Sequence, residues 1–137
     1  MTAMDRPAVR DAALLILRLV LGIIFVAHGF DKVFGVGVDA TVGYFVAAGI
    51  PQAKLTVWLV AVVEMVCGAL LILGLLAPAV AGVLLIEMAG AFWFVHLGHG
   101  LFVADGGAEL VLALIAGLVV VVAFGAGRAS LDRAFTR

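Results

Sequence analysis

Charged residues are scarce in this sequence. Asp, Glu, Lys and Arg make up 12% of the 137 residues, whereas a soluble domain carries about 25%. Hydrophobic residues make up 66%, and the mean hydropathy is +1.35. A water-soluble fold of this length has too small an interior to hide so much apolar surface. The composition therefore predicts an integral membrane protein.

Cysteine pairs and clustered basic residues are also missing. Cys67 is the only cysteine, which excludes a disulfide framework or a Cys-x-x-Cys thiol relay within the chain. The eight Lys and Arg residues are scattered and the net charge is −1, whereas a nucleic-acid-binding domain presents a basic patch. We therefore expect no nucleic-acid partner.

Four apolar runs are long enough to cross a bilayer as helices. A hydrocarbon core of about 30 Å needs about 20 helical residues. We predict an all-α, integral membrane four-helix bundle that forms one domain over residues 1–137, with Asp11 as the N-cap of span one. The predicted spans are residues 12–30, 54–76, 79–97 and 108–124.

The connection between spans one and two has a helical pattern of its own. Val42, Phe45 and Val46 recur at helical spacing, and Gly49 followed by Pro51 suits a helix end. We predict a short amphipathic helix that lies in the interface or against the bundle. The alternative is a loop with some buried aromatic residues.

Positive residues outside the spans are concentrated in the two terminal tails. An even number of spans puts both tails on one side, and the positive-inside rule predicts that this side is the cytoplasm. The opposite, outer half then holds the three histidines and most aromatic residues, which indicates that it is the chemically specialised half. The tail residues are Arg6, Arg10, Arg128, Arg133 and Arg137, and only Lys32 and Lys54 lie on the other side.

One face of span one combines small residues with charged ones. Small residues let a second helix approach closely, and a charge inside the membrane needs a partner. We therefore predict that other spans cover this face, which has helical steps of four and three. The face consists of Arg18, Gly22, Phe25, Gly29 and Lys32.

Three charged residues fall well inside the spans. A charge at the bilayer centre costs about 2.5–3.5 kcal/mol on insertion scales, so three such charges indicate a structural or functional role. Arg18 is expected to pair with Glu64 or Glu87, or to bridge both as a polar staple between helices. The alternative is a proton or ligand site, because one cation leaves one of the two acids without a partner and able to hold a proton.

Three further residues complete the predicted proton or ligand site, and we assign no catalytic residue. His28 lies beside the polar face of span one. Lys32 is expected to extend to the membrane interface. Glu109 opens span four, where an acid also stabilises the first turn of a helix.

An outer-rim polar cluster is predicted from His96, His99 and Asp105. The spacing of the two histidines would suit a zinc or copper site on a helix. Gly98 and Gly100 interrupt the helix there, so we predict no metal site and expect hydrogen-bonding or solvated histidines instead.

Pieces of a known pattern run in order through nearly the whole chain, and together they resemble the DoxX family of small four-span membrane proteins. The resemblance implies a four-helix bundle in a bacterial plasma (inner) membrane. The matching pieces are Arg18, Gly22, Phe25, His28-Gly29, Lys32, Gly49-Ile50-Pro51, Glu64, Gly68, Leu73-Gly74, Met88, Ala91, Gly106-Gly107, Glu109 and the closing run from Gly125 to Asp132.

The resemblance also implies a function. Some relatives are subunits of thiosulfate:quinone oxidoreductase, and others are assigned to a membrane complex with superoxide dismutase and a sulfurtransferase-like protein. We therefore expect a membrane subunit of a quinone-linked oxidoreductase complex that uses its buried Arg and Glu groups. The expected cofactor is a non-covalently bound quinone. The expected partners are the lipid bilayer, a soluble or membrane redox protein, and a second copy of the chain.

Two alternatives to that function remain open. The first is a non-catalytic membrane anchor for a soluble redox enzyme. The second is a small proton-coupled transporter. Four-span multidrug exporters carry their embedded glutamate in span one, where this chain has Arg18, so the transporter ranks below the anchor.

Overall fold

The structure is a computed structural model that describes residue 2 and residues 5–136. Within these residues it is all-helical and contains no strand. π-helical turns extend the first and fourth helices over Asp31–Gly35 and Phe92–His96, and a 3-10 turn covers Val103–Asp105. The α-helices are α1 Pro7–Phe30, α2 Val38–Ala47, α3 Ala53–Leu73, α4 Ala77–Ala91, α5 Glu109–Phe124 and α6 Leu131–Phe135.

In the part of the chain that the structure describes, three helical segments are long and apolar enough to cross a membrane: Pro7–Gly35, Ala53–Leu73 and Ala77–His96. The fourth predicted span is α5, an apolar helix of 16 residues, which is about 24 Å long. It packs against α4 and, less extensively, against α1. The prediction of an all-α membrane bundle is confirmed.

The closest contact in the bundle lies between α1 and α3. A Cβ atom on Gly22 would lie 2.6 Å from the carbonyl oxygen of Gly68, and one on Gly29 would lie 2.7 Å from that of Ala61. Residue numbers rise along one helix as they fall along the other, so the two helices are antiparallel. The polar face of span one is therefore covered as predicted, with Arg18 and Phe25 almost fully buried.

Helix α2 confirms the predicted helix between spans one and two. It packs against α3 and against the π turn after α1, with Phe45 buried. The Thr41 hydroxyl donates to the carbonyl oxygens of Gly37 at 2.7 Å and Lys32 at 3.2 Å. This contact holds α2 beside the end of α1. We call this side of the bundle the loop side, and the opposite one, which bears both chain ends, the terminal side.

Residues 125–136 fold over the terminal side of the bundle. The Asp132 carboxylate accepts hydrogen bonds from the backbone N–H of Leu76 at 2.6 Å and of Ala77 at 2.9 Å, and the Asp132 N–H donates to the Gly74 carbonyl at 2.9 Å. The first N–H groups of a helix have no partner within it. Asp132 therefore caps α4 from a point more than fifty residues away in the sequence.

Asp11 corrects one expectation about α1. The helix begins at Pro7, a residue suited to the first helical position, so Asp11 lies one turn inside it rather than at the N-cap. Its Oδ1 accepts from the Arg128 N–H at 3.2 Å, and its Oδ2 lies 3.4 Å from the Arg128 Nε. Asp11 therefore joins α1 to the C-terminal segment.

We expect Gly22→Ala to destabilise the bundle, because the new methyl group would meet a backbone oxygen that cannot rotate away. The cost should be about 1–3 kcal/mol, as for other overpacked sites. Gly82→Ala on α4 is the matched control, because a Cβ atom there meets nothing within 4 Å. Thermal unfolding followed by circular dichroism in detergent measures both variants. Equal melting temperatures would contradict the packing described for α1 and α3.

Candidate functional site

An ion pair links α1 to α3 on the loop side of the bundle. Lys32 Nζ lies 2.7 Å from Glu64 Oε2, and the Glu64 residue is 4% exposed. Lys32 Nζ also donates to the His28 carbonyl at 3.4 Å. The expectation that Lys32 extends to the membrane interface is therefore wrong, because its ammonium group turns into the bundle.

Arg18 lies near the middle of α1, on the terminal side of the Lys32–Glu64 pair, and binds no glutamate. Its guanidinium donates to the carbonyl oxygens of Leu71 at 3.0 Å and Ala129 at 2.5 Å, and the residue is fully buried. Arg18 joins the end of α3 to the C-terminal segment. The predicted polar staple between Arg18 and the two glutamates is therefore wrong.

The register of α1 and α3 explains both pairings. Glu64 lies level with Gly29, since a Cβ atom on Gly29 would be 3.0 Å from the Glu64 Cβ. Arg18 precedes Gly29 by eleven residues, which is about 16 Å along the axis. Helical side chains also lean toward the N-terminus of their helix, so Arg18 leans away from Glu64 while Lys32 leans toward it.

A cavity of about 540 Å³ adjoins the Lys32–Glu64 pair. It lies between the loop-side halves of α1, α3, α4 and α5, and it is covered by α2 and the segment after it. Most of its wall is apolar and includes Phe25, Phe45 and Met88. The polar residues in the wall are His28, Lys32, Tyr44, Thr56, Glu64, Glu87 and His96.

Glu87 stands apart from the other charged residues of this cavity. Both of its carboxyl oxygens are buried and have no hydrogen-bond partner among the described residues. Since Glu64 is the acid that Lys32 neutralises, Glu87 is the acid left without a cation there. That one of the two acids holds a proton stays a prediction. The pairing of Glu64 with Lys32 indicates that this acid is Glu87.

Both outer-rim histidines lie beside Gly106, the residue that follows Asp105. His96 lines the cavity, and its Nδ1–H donates to the Gly106 carbonyl at 2.8 Å. His99 lines a neighbouring groove, and Asp105 is exposed in the 3-10 turn. No group of three or more His, Cys, Asp or Glu side chains suited to a metal ion occurs within the described part of the chain.

Glu109 organises the turn that precedes α5. Its Oε1 accepts from the Val103 N–H at 3.1 Å, and its own N–H donates to the Leu101 carbonyl at 2.8 Å. It does not line the cavity. Of the six residues predicted to form a proton or ligand site, the structure brings together His28, Lys32, Glu64 and Glu87, and leaves out Arg18 and Glu109.

The sequence reasoning missed Tyr44 in the cavity wall and Asp132 at the terminal side. Tyr44 lies on the helix that the sequence predicts between spans one and two. Nothing in the sequence pattern indicates that this helix covers a cavity. Asp132 lies in a tail that looks merely basic, and its partners Leu76 and Ala77 are distant in sequence. No local sequence pattern predicts that Tyr44 lines the cavity or that Asp132 binds the start of α4.

Comparison with known proteins identifies the family of this chain. Residues 13–97 match the family model of DoxX. The chain belongs to the DoxX family. The match includes Arg18, Lys32, Glu64 and Glu87.

Two relatives of this DoxX protein cover most of its length. One is an uncharacterized membrane protein of Mycobacterium tuberculosis, 34% identical over 131 residues, with 88% of this chain and 80% of the relative covered. The other is an uncharacterized protein of Haemophilus influenzae, 34% identical over 129 residues, with 92% of each chain covered. No solved structure matches this chain.

We expect Glu64→Gln to destabilise the protein more than Glu87→Gln. The first change removes the charge that Lys32 faces at 2.7 Å, at a cost of about 1.5–3 kcal/mol for a hydrogen bond between charged groups. The second removes no hydrogen bond seen among the described residues. Denaturant unfolding in detergent measures both.

Lys32→Met combined with Glu64→Gln provides the control for this comparison. Because residues in direct contact are energetically coupled, the double variant should lose less stability than the sum of its single changes. The assigned pairing would be contradicted if the stability loss of the double variant equalled the sum of the two single losses. It would also be contradicted if Glu87→Gln lost more stability than Glu64→Gln.

We expect Arg18→Met to loosen the C-terminal segment while leaving the helices in place. The change removes both donors to the Leu71 and Ala129 carbonyls and keeps a long apolar side chain in the space. Trypsin should then cleave faster after Arg128 and Arg133 in limited proteolysis. Arg10→Met is the control, since Arg10 is exposed. Unchanged cleavage in Arg18→Met would mean that Arg18 does not hold this segment.

Proposed function

We propose that this DoxX protein is the quinone-binding membrane subunit of an oxidoreductase complex. The observation that carries the proposal is the cavity of about 540 Å³ with an ion pair and an unpartnered carboxyl group in one apolar wall. Small-molecule sites have volumes of about 300–1,000 Å³ and are mainly apolar, with a few placed polar groups. A quinone head group has the same character, a flat apolar ring with carbonyl oxygens.

The polar residues of the wall suit the two ends of such a ring. When bound, a quinone accepts two electrons and two protons to become the quinol. Lys32, His28 and Tyr44 line the cavity as potential hydrogen-bond donors to a carbonyl oxygen. Glu87 supplies a carboxyl group that can transfer a proton to the other oxygen, because no cation holds it as the carboxylate.

The electrons come from a partner in this proposal. A chain with one cysteine cannot cycle between a dithiol and a disulfide by itself. A redox protein that carries its own electron-transfer centre and docks at the membrane would supply two electrons for each quinone reduced. We further propose that the complex lies in a bacterial plasma membrane with both termini in the cytoplasm, as the arginines of the tails favour.

We expect Gly90→Phe to weaken quinone binding by about tenfold or more, equivalent to at least about 1.4 kcal/mol. Gly90 lines the cavity, and a Cβ atom there meets nothing within 4 Å, so we expect a phenyl ring to fill room that the ligand needs. Isothermal titration of the purified protein in detergent with short-chain benzoquinone and naphthoquinone analogues measures the affinity.

Gly82→Phe is the matched control for cavity filling. It places the same ring on the same helix, also in open space, at a residue that does not line the cavity, and it should bind quinone like the unaltered protein. Absence of quinone binding in the unaltered protein would reject the proposal. Recovery of a redox enzyme from native membranes by such a protein would favour the membrane anchor instead.

A further inference from the structure

We propose that the Glu87 carboxyl group exchanges protons with water on the loop side of the membrane and is closed off from water on the terminal side. The inference concerns the route of the proton, and it deepens the proposed function by giving that reaction a direction. It rests on the proposed function only where it names the final proton acceptor, a quinone oxygen.

The route toward the loop side is open in the structure. A second groove, of about 460 Å³, lies next to the cavity and shares Tyr44, Phe94 and Val95 with it. This groove continues to His99 and Gly106, which are exposed residues of the connection between α4 and α5. Tyr44 is 56% exposed and Phe94 is 42% exposed, so the junction of the two spaces reaches the protein surface.

The route toward the terminal side is filled with apolar side chains. Leu84 lies one turn from Glu87 along α4 and is fully buried. Leu71, Leu118 and Val121 are fully buried at neighbouring positions of α3 and α5, and Leu21 on α1 is 3% exposed. Proton transfer needs a chain of hydrogen-bonding groups or water, and this layer provides neither.

Arg18 closes the terminal side beyond that apolar layer. Two of its guanidinium nitrogens are already bound to the Leu71 and Ala129 carbonyls, and the residue has no exposed surface. Residues 125–136 cover it, and Asp132 fastens them to the start of α4. A fixed cation at this position also repels a proton that approaches from the terminal side.

The titratable groups around Glu87 come from most of the packed elements. The cavity wall contains His28 from α1, Lys32 from the π turn after it, Glu64 from α3, Tyr44 from α2 and His96 from the π turn after α4. From α5 it contains only apolar residues, Leu110, Val111 and Leu114. Cys67 on α3 is the titratable residue one turn beyond Glu64 toward the terminal side. Because Lys32 and Glu64 neutralise each other at 2.7 Å, Glu87 is the acid of this wall that has no partner among the described residues.

The proton balance of the route is simple. A proton leaves water on the loop side and protonates the Glu87 carboxylate, and Glu87 then transfers it to the quinone oxygen and becomes a carboxylate again. Two such transfers accompany the two electrons that the redox partner supplies. Electron delivery from the loop side would make the reaction electroneutral, whereas delivery from the terminal side would move charge across the membrane.

Thiol accessibility tests this route without any quinone. In a Cys67→Ser background, Gly90→Cys places one thiol in the cavity, and Gly82→Cys places one on the same helix outside it. Both sites have open space for a Cβ atom. A charged, membrane-impermeant methanethiosulfonate is applied to either face of sealed vesicles, whose orientation is read from protease cleavage of a tag on the N-terminal tail.

We expect the Gly90→Cys thiol to react about tenfold faster or more from the loop side than from the terminal side, since thiol modification depends on access. The Gly82→Cys thiol should react slowly from both sides. Equal rates from the two sides, faster reaction from the terminal side, or no reaction at Gly90→Cys would each overturn the proposal. If Gly90→Cys does not fold, Ala91→Cys, also in the cavity wall, replaces it.

Infrared difference spectroscopy supplies a readout for Glu87 itself. A pH step applied on the loop side of proteoliposomes should change the carbonyl stretch of a protonated carboxyl group, and Glu87→Gln should remove that signal. The same step on the terminal side should leave it unchanged, and a response from that side would reject the route. Loss of quinone binding with both results intact would reject the proposed function and leave the proton route standing.

Discussion

The close contact between α1 and α3 determines which partners Arg18 and Lys32 meet. Because residues 22, 29 and 68 are glycines, the two backbones approach so closely that an added Cβ atom would collide with a carbonyl oxygen of the facing helix. Helices that approach so closely have little freedom to slide, because each carbonyl oxygen occupies the space that a Cβ atom would need. The resulting register places Lys32 beside Glu64 on the loop side and Arg18 beside the end of α3 on the terminal side.

Arg18 and Lys32 offset the cost of removing their charges from water with different partners. Arg18 presents a planar fork of donors, and it uses that fork to bind carbonyl oxygens from two separate segments. Lys32 carries a compact charge that one carboxylate neutralises. Arginine therefore suits the joint between the bundle and the C-terminal segment, where several acceptors converge. Lysine suits the wall of the cavity, where a single pair leaves the neighbouring acid, Glu87, free of a cation.

The cavity and the sealed terminal side follow from the same arrangement. Helix α2 and the loop-side ends of the long helices enclose a space with apolar walls, while the terminal half is packed with Leu and Val side chains. Membership of the DoxX family is shown by the match over residues 13–97, and the quinone-linked role is the function that we propose for this asymmetric bundle. Exclusion of water from a site strengthens the electrostatic interactions inside it.

The sequence by itself determined the membrane location, the all-helical architecture, the helix between the first two spans and the small, polar face of α1. These depend on composition and on helical periodicity, which are local properties. Only the tertiary structure decided which charges pair. Arg18 and Lys32 lie on the same helical face, and periodicity alone cannot tell which of them meets Glu64. That choice depends on the antiparallel register and on the direction in which helical side chains lean. The same holds for Asp132, whose partners Leu76 and Ala77 lie far away in the sequence, and for Tyr44, which lines the cavity only after the helices have packed.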